Sequence, residues 1–168
     1  VSADHLSLNE TDIGEYRTFF KLSPPLRDED DRQAILAGLA DGTIDVVVSG
    51  HDPQDTDAKR RPFAEAAHGA VGLETLLPVM LERVHNEELS MIEALGTVTS
   101  KPASILGLKS GELRAGAAAD MVLIDPGKPW VVDADTLRSK SKNTAHEDRR
   151  FQGRAVRTIV AGQTVFEA

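Results

Sequence analysis

The sequence predicts an α/β fold, a wound helix-and-strand region followed by a small β module, and three observations carry that prediction. The run Ile44-Asp45-Val46-Val47-Val48 is β-branched and nearly uninterrupted, as in a strand buried on both faces of a parallel sheet. Immediately before it, Asp28 to Ala40 is an amphipathic helix closed by Gly42, so the two form one α-β unit. From Ser110 onward, short apolar runs alternate with turn residues and end in a hairpin signature at Ala161-Gly162.

Taken in order, Val1 to Leu6 reads as the end of a strand, and with no initiator Met the chain is expected to be a piece of a longer protein. Ser7 to Gly14 is a helical turn opened by a cap at Ser7 or Asn9, with Leu8 and Ile13 as its apolar contacts. Thr18 to Leu22 is short and apolar. Ser23-Pro24-Pro25-Leu26-Arg27 stops it, since two successive prolines forbid helix and fix an extended loop. In the helix that follows, Asp28, Glu29, Asp30 and Asp31 crowd the first turn, where the macrodipole favours anions, and Ile35, Leu36 and Leu39 form the stripe.

After the strand at Ile44 to Val48, Gly50 to Pro62 is long, charged and aperiodic, the signature of a functional or mobile loop. Val71 to Val84 is helical by the spacing of Leu73, Leu76, Leu77, Met80, Leu81 and Val84, with Pro78 inside it expected to bend it. Ser90 to Leu95 and Ser100 to Leu106 are shorter helices, the second with Pro102 in its first turn. Beyond the turn Gly111 to Gly116, strands are expected at Asp120 to Asp125, Trp130 to Val132, Ala155 to Val160 and Gln163 to Phe166. The division is therefore 1–108 and 109–168, with a polar surface excursion at 138–152. No internal repeat is visible.

Composition narrows the function. A formal net charge of -8 argues against a nucleic-acid footprint or an anionic-membrane surface. With no cysteine there is neither a disulfide framework nor thiolate chemistry. No apolar run approaches the roughly 20 residues that a bilayer requires, and no signal peptide is visible. A soluble, cytoplasmic protein is the expectation.

Several strings, weak singly and specific jointly, resemble the dihydroorotases, metal-dependent cyclic amidohydrolases of pyrimidine biosynthesis. They are His5-Leu6, Ser23-Pro24-Pro25-Leu26-Arg27, Asp41 to Asp45, Gly72-Leu73-Glu74-Thr75, Lys101-Pro102-Ala103, Gly116 to Asp120, Ser139 to Thr144 and Val160-Ala161-Gly162. The resemblance covers essentially the whole chain. It implies the later half of a distorted (β/α)8 TIM-type barrel plus the C-terminal strands of a small β-sandwich. The half that carries the family's His-x-His metal pair is not in this chain, so the implied partners are that missing N-terminal half and a homo-oligomer. Left alone, such a piece would expose strand edges and apolar surface.

The family reaction is the reversible cyclisation of N-carbamoyl-L-aspartate to dihydroorotate, in which bound zinc activates water and an aspartate at the last barrel strand moves the proton. By resemblance His5 takes the place of a metal ligand; the plainer alternative is a histidine that hydrogen-bonds at a strand end. The last strand departs from the family. Where dihydroorotases read Thr-Asp-His-Ala-Pro-His, this chain has Ser49-Gly50-His51-Asp52-Pro53-Gln54. Gly50 stands for the catalytic aspartate and can neither ligate nor accept a proton, while Gln54 stands for a histidine that contacts the substrate carboxylate. Ser23 stands where many members carry an asparagine near the substrate.

Asp52 is the candidate substitute carboxylate, but along an extended segment it is displaced by roughly 6.5 Å, which favours its capping the Pro53 turn instead. Asp55, Asp57, Lys59, Arg60 and Arg61 read as a solvated loop face. His51 reads as structural; His68, His85 and His146 show no partner spacing and read as surface residues. Glu74 and Asn143 are expected to stabilise loops. Gly50 and Gln54 together point to a degenerate homologue that supports aspartate carbamoyltransferase assembly, ahead of an active zinc dihydroorotase or a hydantoinase- or allantoinase-type relative.

Overall fold

The computed structural model describes all residues from Val1 to Ala168. Val1 and Ser2 are extended and run parallel to Val46 to Val48: the Val48 amide donates to the Val1 carbonyl (2.8 Å) and the Ala3 amide to the Val48 carbonyl (2.9 Å). Ala3 already has helical dihedrals (φ -57°, ψ -35°) ahead of α1 (Asp4–Ser7), so the strand reading of the first residues holds only as far as Ser2. A 3-10 turn at Glu10–Ile13 is capped by Asn9, whose side chain accepts from the Thr11 amide, and a second lies at Thr18–Phe20.

The acidic helix is α2 (Glu29–Ala40), capped by the Asp28 side chain, with Leu36 and Leu39 buried. Gly42, at φ 82°, makes the left-handed exit. The segment that follows, Ile44 to Val48, is extended but pairs along one edge only, and Val48 is 51% exposed. Continuous parallel-sheet pairing is therefore reduced to two isolated bridges, Ser2 with Val48 and His51 with Ala70.

Three expectations need correction between residues 50 and 160. The charged loop contains one helical turn, α3 (Thr56–Lys59). The next helix, α4 (Leu76–His85), starts five residues later than the spacing suggested, leaving Leu73 outside it and exposed. Pro78 consequently sits in the first turn, where amides have no intrahelical partner, and there is no bond for it to break. The next two helices, α5 (Met91–Gly96) and α6 (Ser100–Ile105), follow the spacing closely; Ser90 and Glu93 form a reciprocal capping box on α5.

The third correction concerns the β module, a three-stranded antiparallel sheet in the order β1 (Met121–Val131), β2 (Arg150–Val160), β3 (Gln163–Glu167). Pro126-Gly127 does not separate two strands. Asp125 Oδ1 accepts the Gly127 amide (2.9 Å), the register shifts between Asp125 and Pro129, and the strand continues through the irregularity. Ala161 and Gly162 both adopt positive φ (50° and 78°), as the tight hairpin requires.

The supposed surface excursion contributes to the core. Asn143, Thr144, Ala145 and His146 are buried, and β2 begins at Arg150, inside that stretch. Val132, Leu137 and Phe151 from this half share one apolar cluster with Ala3, Leu6, Leu36, Val79 and Met80 from the other. Gly153, at φ 108°, presses β2 onto α4; a Cβ there would lie 2.3 Å from Leu81 Cδ1.

Charge also ties the halves. Both oxygens of Glu82 accept from Arg149 Nη2 (2.9 and 3.0 Å), and Arg83 Nη2 donates to Glu82 Oε2 (2.6 Å). Burial pushes the Glu82 carboxyl up, but the two guanidiniums outweigh burial and hold it below the usual carboxylate range. A carboxyl lowered in the folded state stabilises above its unfolded value, and that contribution is lost as pH falls through the folded value. Glu82→Gln is therefore expected to lose about 2 kcal/mol at neutral pH and to flatten the acid limb of stability against pH, read by urea unfolding at a series of pH values.

Candidate functional site

The paired segments Val1 to Ala3 and Val46 to Val48 end side by side, and their ends place Asp4 next to Gly50. A Cβ built on Gly50, whose φ is 62°, would lie 3.4 Å from Asp4 Oδ2, 3.0 Å from Ser2 Cβ and 3.5 Å from Ser2 Oγ. Asp4 is only 3% exposed, yet it is ordered by a partner 142 residues away: His146 Nε2 lies 3.0 Å from Asp4 Oδ1. On the other side of the ring, Arg149 Nη1 donates to His146 Nδ1 (3.4 Å). A guanidinium can only donate, so Nδ1 accepts, and the ring proton sits on Nε2 and points at Asp4. Phe151 meets the same ring edge-on at 5.6 Å. His146 is 1% exposed, which overturns its assignment to the surface.

Around this mouth the remaining side chains are engaged structurally. His5 is buried, its Nδ1 2.7 Å from Ser2 Oγ and its Nε2 3.1 and 3.3 Å from the carbonyls of Pro24 and Pro25. Both ring nitrogens therefore lie within hydrogen-bond distance of protein groups. Ser23 is exposed on the loop whose carbonyls His5 holds. Asp52 does not reach Gly50: its Oδ1 accepts from Gln54 Nε2 (2.8 Å), and its Oδ2 lies 2.3 Å from where a Gly69 Cβ would be. Gln54 thereby spends its amide on Asp52. His51 Nδ1 accepts from the amides of Gly72 (3.2 Å) and Leu73 (3.4 Å).

Asn143 fastens this loop. Its Oδ1 accepts the Gln54 amide (3.2 Å), its Nδ2 donates to the Gly69 carbonyl (3.1 Å), its own carbonyl accepts the Val71 amide (3.0 Å), and Ser141 Oγ donates to the Gln54 carbonyl (2.7 Å). Glu74 Oε1 accepts the Arg138 amide (2.7 Å).

Lys59 is a further correction. It is 3% exposed, and its Nζ donates to the carbonyls of Ala67 (2.8 Å), Thr18 (2.9 Å) and Lys21 (3.3 Å). Burial, with Lys21 nearby, pushes the Lys59 ammonium down to about 8, so it stays largely charged at neutral pH. The other charged residues of that run, Asp55, Asp57, Arg60 and Arg61, are exposed as expected.

No three His, Asp or Glu side chains of this chain converge as a metal requires. At the mouth the chain offers one open carboxylate oxygen, whereas zinc takes three or four protein ligands. The donor set present here does not by itself fit zinc.

What the residues can do is narrower: a buried carboxylate, held by a histidine, opens onto a strand end that glycine leaves uncovered. The chain belongs to the amidohydrolase family, whose model matches residues 45–166. Its relatives include dihydroorotases: it is 43% identical to that of Anaplasma phagocytophilum over the whole chain and 46% identical to that of Pelobacter propionicus over 162 residues. It spans 38% of the length of each. Among solved structures, the L-hydantoinase (dihydropyrimidinase) of Arthrobacter aurescens superposes on 99% of the chain with a TM-score of 0.92 at 29% identity, the chain covering 38% of it. No helix is long and apolar enough to cross a membrane.

Proposed function

We propose that this chain is the later half of a TIM-type barrel, with its share of the β-sandwich, in a dihydroorotase-type enzyme that opens and closes cyclic amides. The missing half would supply the further ligands that a metal requires, zinc in keeping with the family, and the whole would work in the cytoplasm as a homo-oligomer. The observation that carries the proposal is the buried Asp4 carboxylate against Gly50. Gly50 removes a side chain from the strand end, but the mouth keeps a carboxylate from the neighbouring segment.

The test is turnover by the full-length protein, assayed as carbamoyl-aspartate cyclisation and dihydroorotate hydrolysis, with hydantoin as the alternative substrate. Dihydroorotate turnover that a strong chelator abolishes is the expected result. Hydantoin turnover alone would move the substrate to the hydantoinase type. Turnover of neither substrate would favour a second reading, a catalytically silent homologue that supports aspartate carbamoyltransferase assembly. Gln54 favours that second reading, because its amide is spent on Asp52; co-purification with the transcarbamoylase would establish it.

A further inference from the structure

We infer that two rims of the mouth, residues 16–22 and the loop 52–70, open and close as a single jaw riveted by Lys59. The coupling goes beyond the enzyme reading, because it holds whether or not the protein turns over a substrate. Lys59 has three N–H donors on Nζ, and all three are spent across the two rims. They go to the carbonyls of Thr18 and Lys21 in the first rim and to that of Ala67, where the loop returns. The first rim answers through Thr18 Oγ1, which donates to the Lys59 carbonyl (2.6 Å).

Further contacts surround the rivet. The Gly69 amide donates to the Lys21 carbonyl (2.9 Å), and Lys21 Nζ to the Ala64 carbonyl (2.9 Å). The Tyr16 ring meets Phe63 edge-on at 5.6 Å. Beneath them, Phe20 and Leu22 share one apolar cluster with Ala70. Every one of these contacts is made within the chain, so the coupling does not depend on the missing half.

Moving one rim alone is costlier than moving both. If residues 16–22 withdrew by themselves, Lys59, 3% exposed, would keep one of its three acceptors and hold a charge in a buried site. If both rims shift together, the rivet survives and only the outer fastenings of the loop give way. One of those fastenings is Ser141, whose Oγ donates to the Gln54 carbonyl (2.7 Å). Loosening it pulls on the loop and reaches residues 16–22 only through the rivet.

The experiment is hydrogen exchange of the full-length protein, read by mass spectrometry on peptides covering 16–22, 52–70 and α4, for wild type, Ser141→Ala, Lys59→Met and the double variant. Ser141→Ala should speed exchange about 3- to 10-fold in 52–70, and by the same factor in 16–22, with α4 unchanged. In the Lys59→Met background, Ser141→Ala should still speed exchange in 52–70 but no longer in 16–22. Thr18→Val, which removes the hydroxyl bond to Lys59, should spread in the opposite direction and speed exchange in 52–70 as well as in 16–22.

A Ser141→Ala effect confined to 52–70, or absent, would overturn the single jaw. An effect that still reaches 16–22 without Lys59 would remove the rivet from the account, and one that extends to α4 would show unfolding of the whole domain instead. Should Lys59→Met fail to fold, the spread of Ser141→Ala and of Thr18→Val across both rims decides between one jaw and two independent loops.

Discussion

Gly72→Ala is expected to cost about 3 kcal/mol or more, a large share of the stability of an ordinary domain. The reason is a backbone contact and not a backbone angle. A Cβ on Gly72 would lie 2.2 Å from the Ser49 carbonyl oxygen, with no flexible side chain to yield. Neither partner is free to retreat: the Gly72 amide donates to His51 Nδ1, and its carbonyl accepts from Thr75 Oγ1 and the Leu76 amide. Gly42→Ala is the control, because nothing lies within 4 Å of a Cβ there and only its φ of 82° opposes a side chain. It should lose about 1 kcal/mol. Urea unfolding of both variants decides the matter; equal losses would show that the Gly72 contact relaxes.

Lys59→Met should be nearly as damaging. Methionine fills much of the same volume but strands the Ala67 carbonyl and takes a charged donor from those of Thr18 and Lys21, which keep only the amides of Lys21 and Gly69. At about 1–3 kcal/mol for the stranded acceptor, with the two other charge-assisted bonds lost, a loss of about 3 kcal/mol is expected. Arginine should not rescue it, because a planar fork cannot replace a compact ammonium that donates in three directions. Chemical denaturation measures both variants, and a loss below about 1 kcal/mol would show that water takes over the lysine's role.

Local signals in the sequence were reliable where a local interaction decides the structure. Asp28 before an acidic first turn, Ser90 three residues before Glu93 and the Ala161-Gly162 turn each became the cap or hairpin that their chemistry implies. The helix at Leu76 begins late because the Leu spacing runs on into residues whose backbone amides are held by His51. The sequence divides β1 because Pro126-Gly127 is ordinarily a break, whereas in the structure the Asp125 side chain takes the Gly127 amide and pairing resumes at Pro129.

The site was legible as a place but not in its parts. The charged loop after Val48 and Gly50 itself point to the strand end, and along the chain the next carboxylate is Asp52. The carboxylate that lies against Gly50 in space is on the neighbouring segment, where Asp4 precedes His5. His146 could not be found by spacing at all, since its partner is 142 residues away. Lys59 was hidden in the same way, a buried cation inside a run of solvated charges.

Asn143 and Ser141 lie in the half that carries the sheet, yet they grip the loop that leaves Gly50, and His146 orders Asp4 from that same stretch. The boundary near residue 108 is thus a change of texture and not a seam. Cutting there would yield a first piece without the rivets of its own mouth. Any recombinant exchange of the sheet between relatives must carry residues 141–149 in register with the loop they hold, or leave that loop and Asp4 without their anchors.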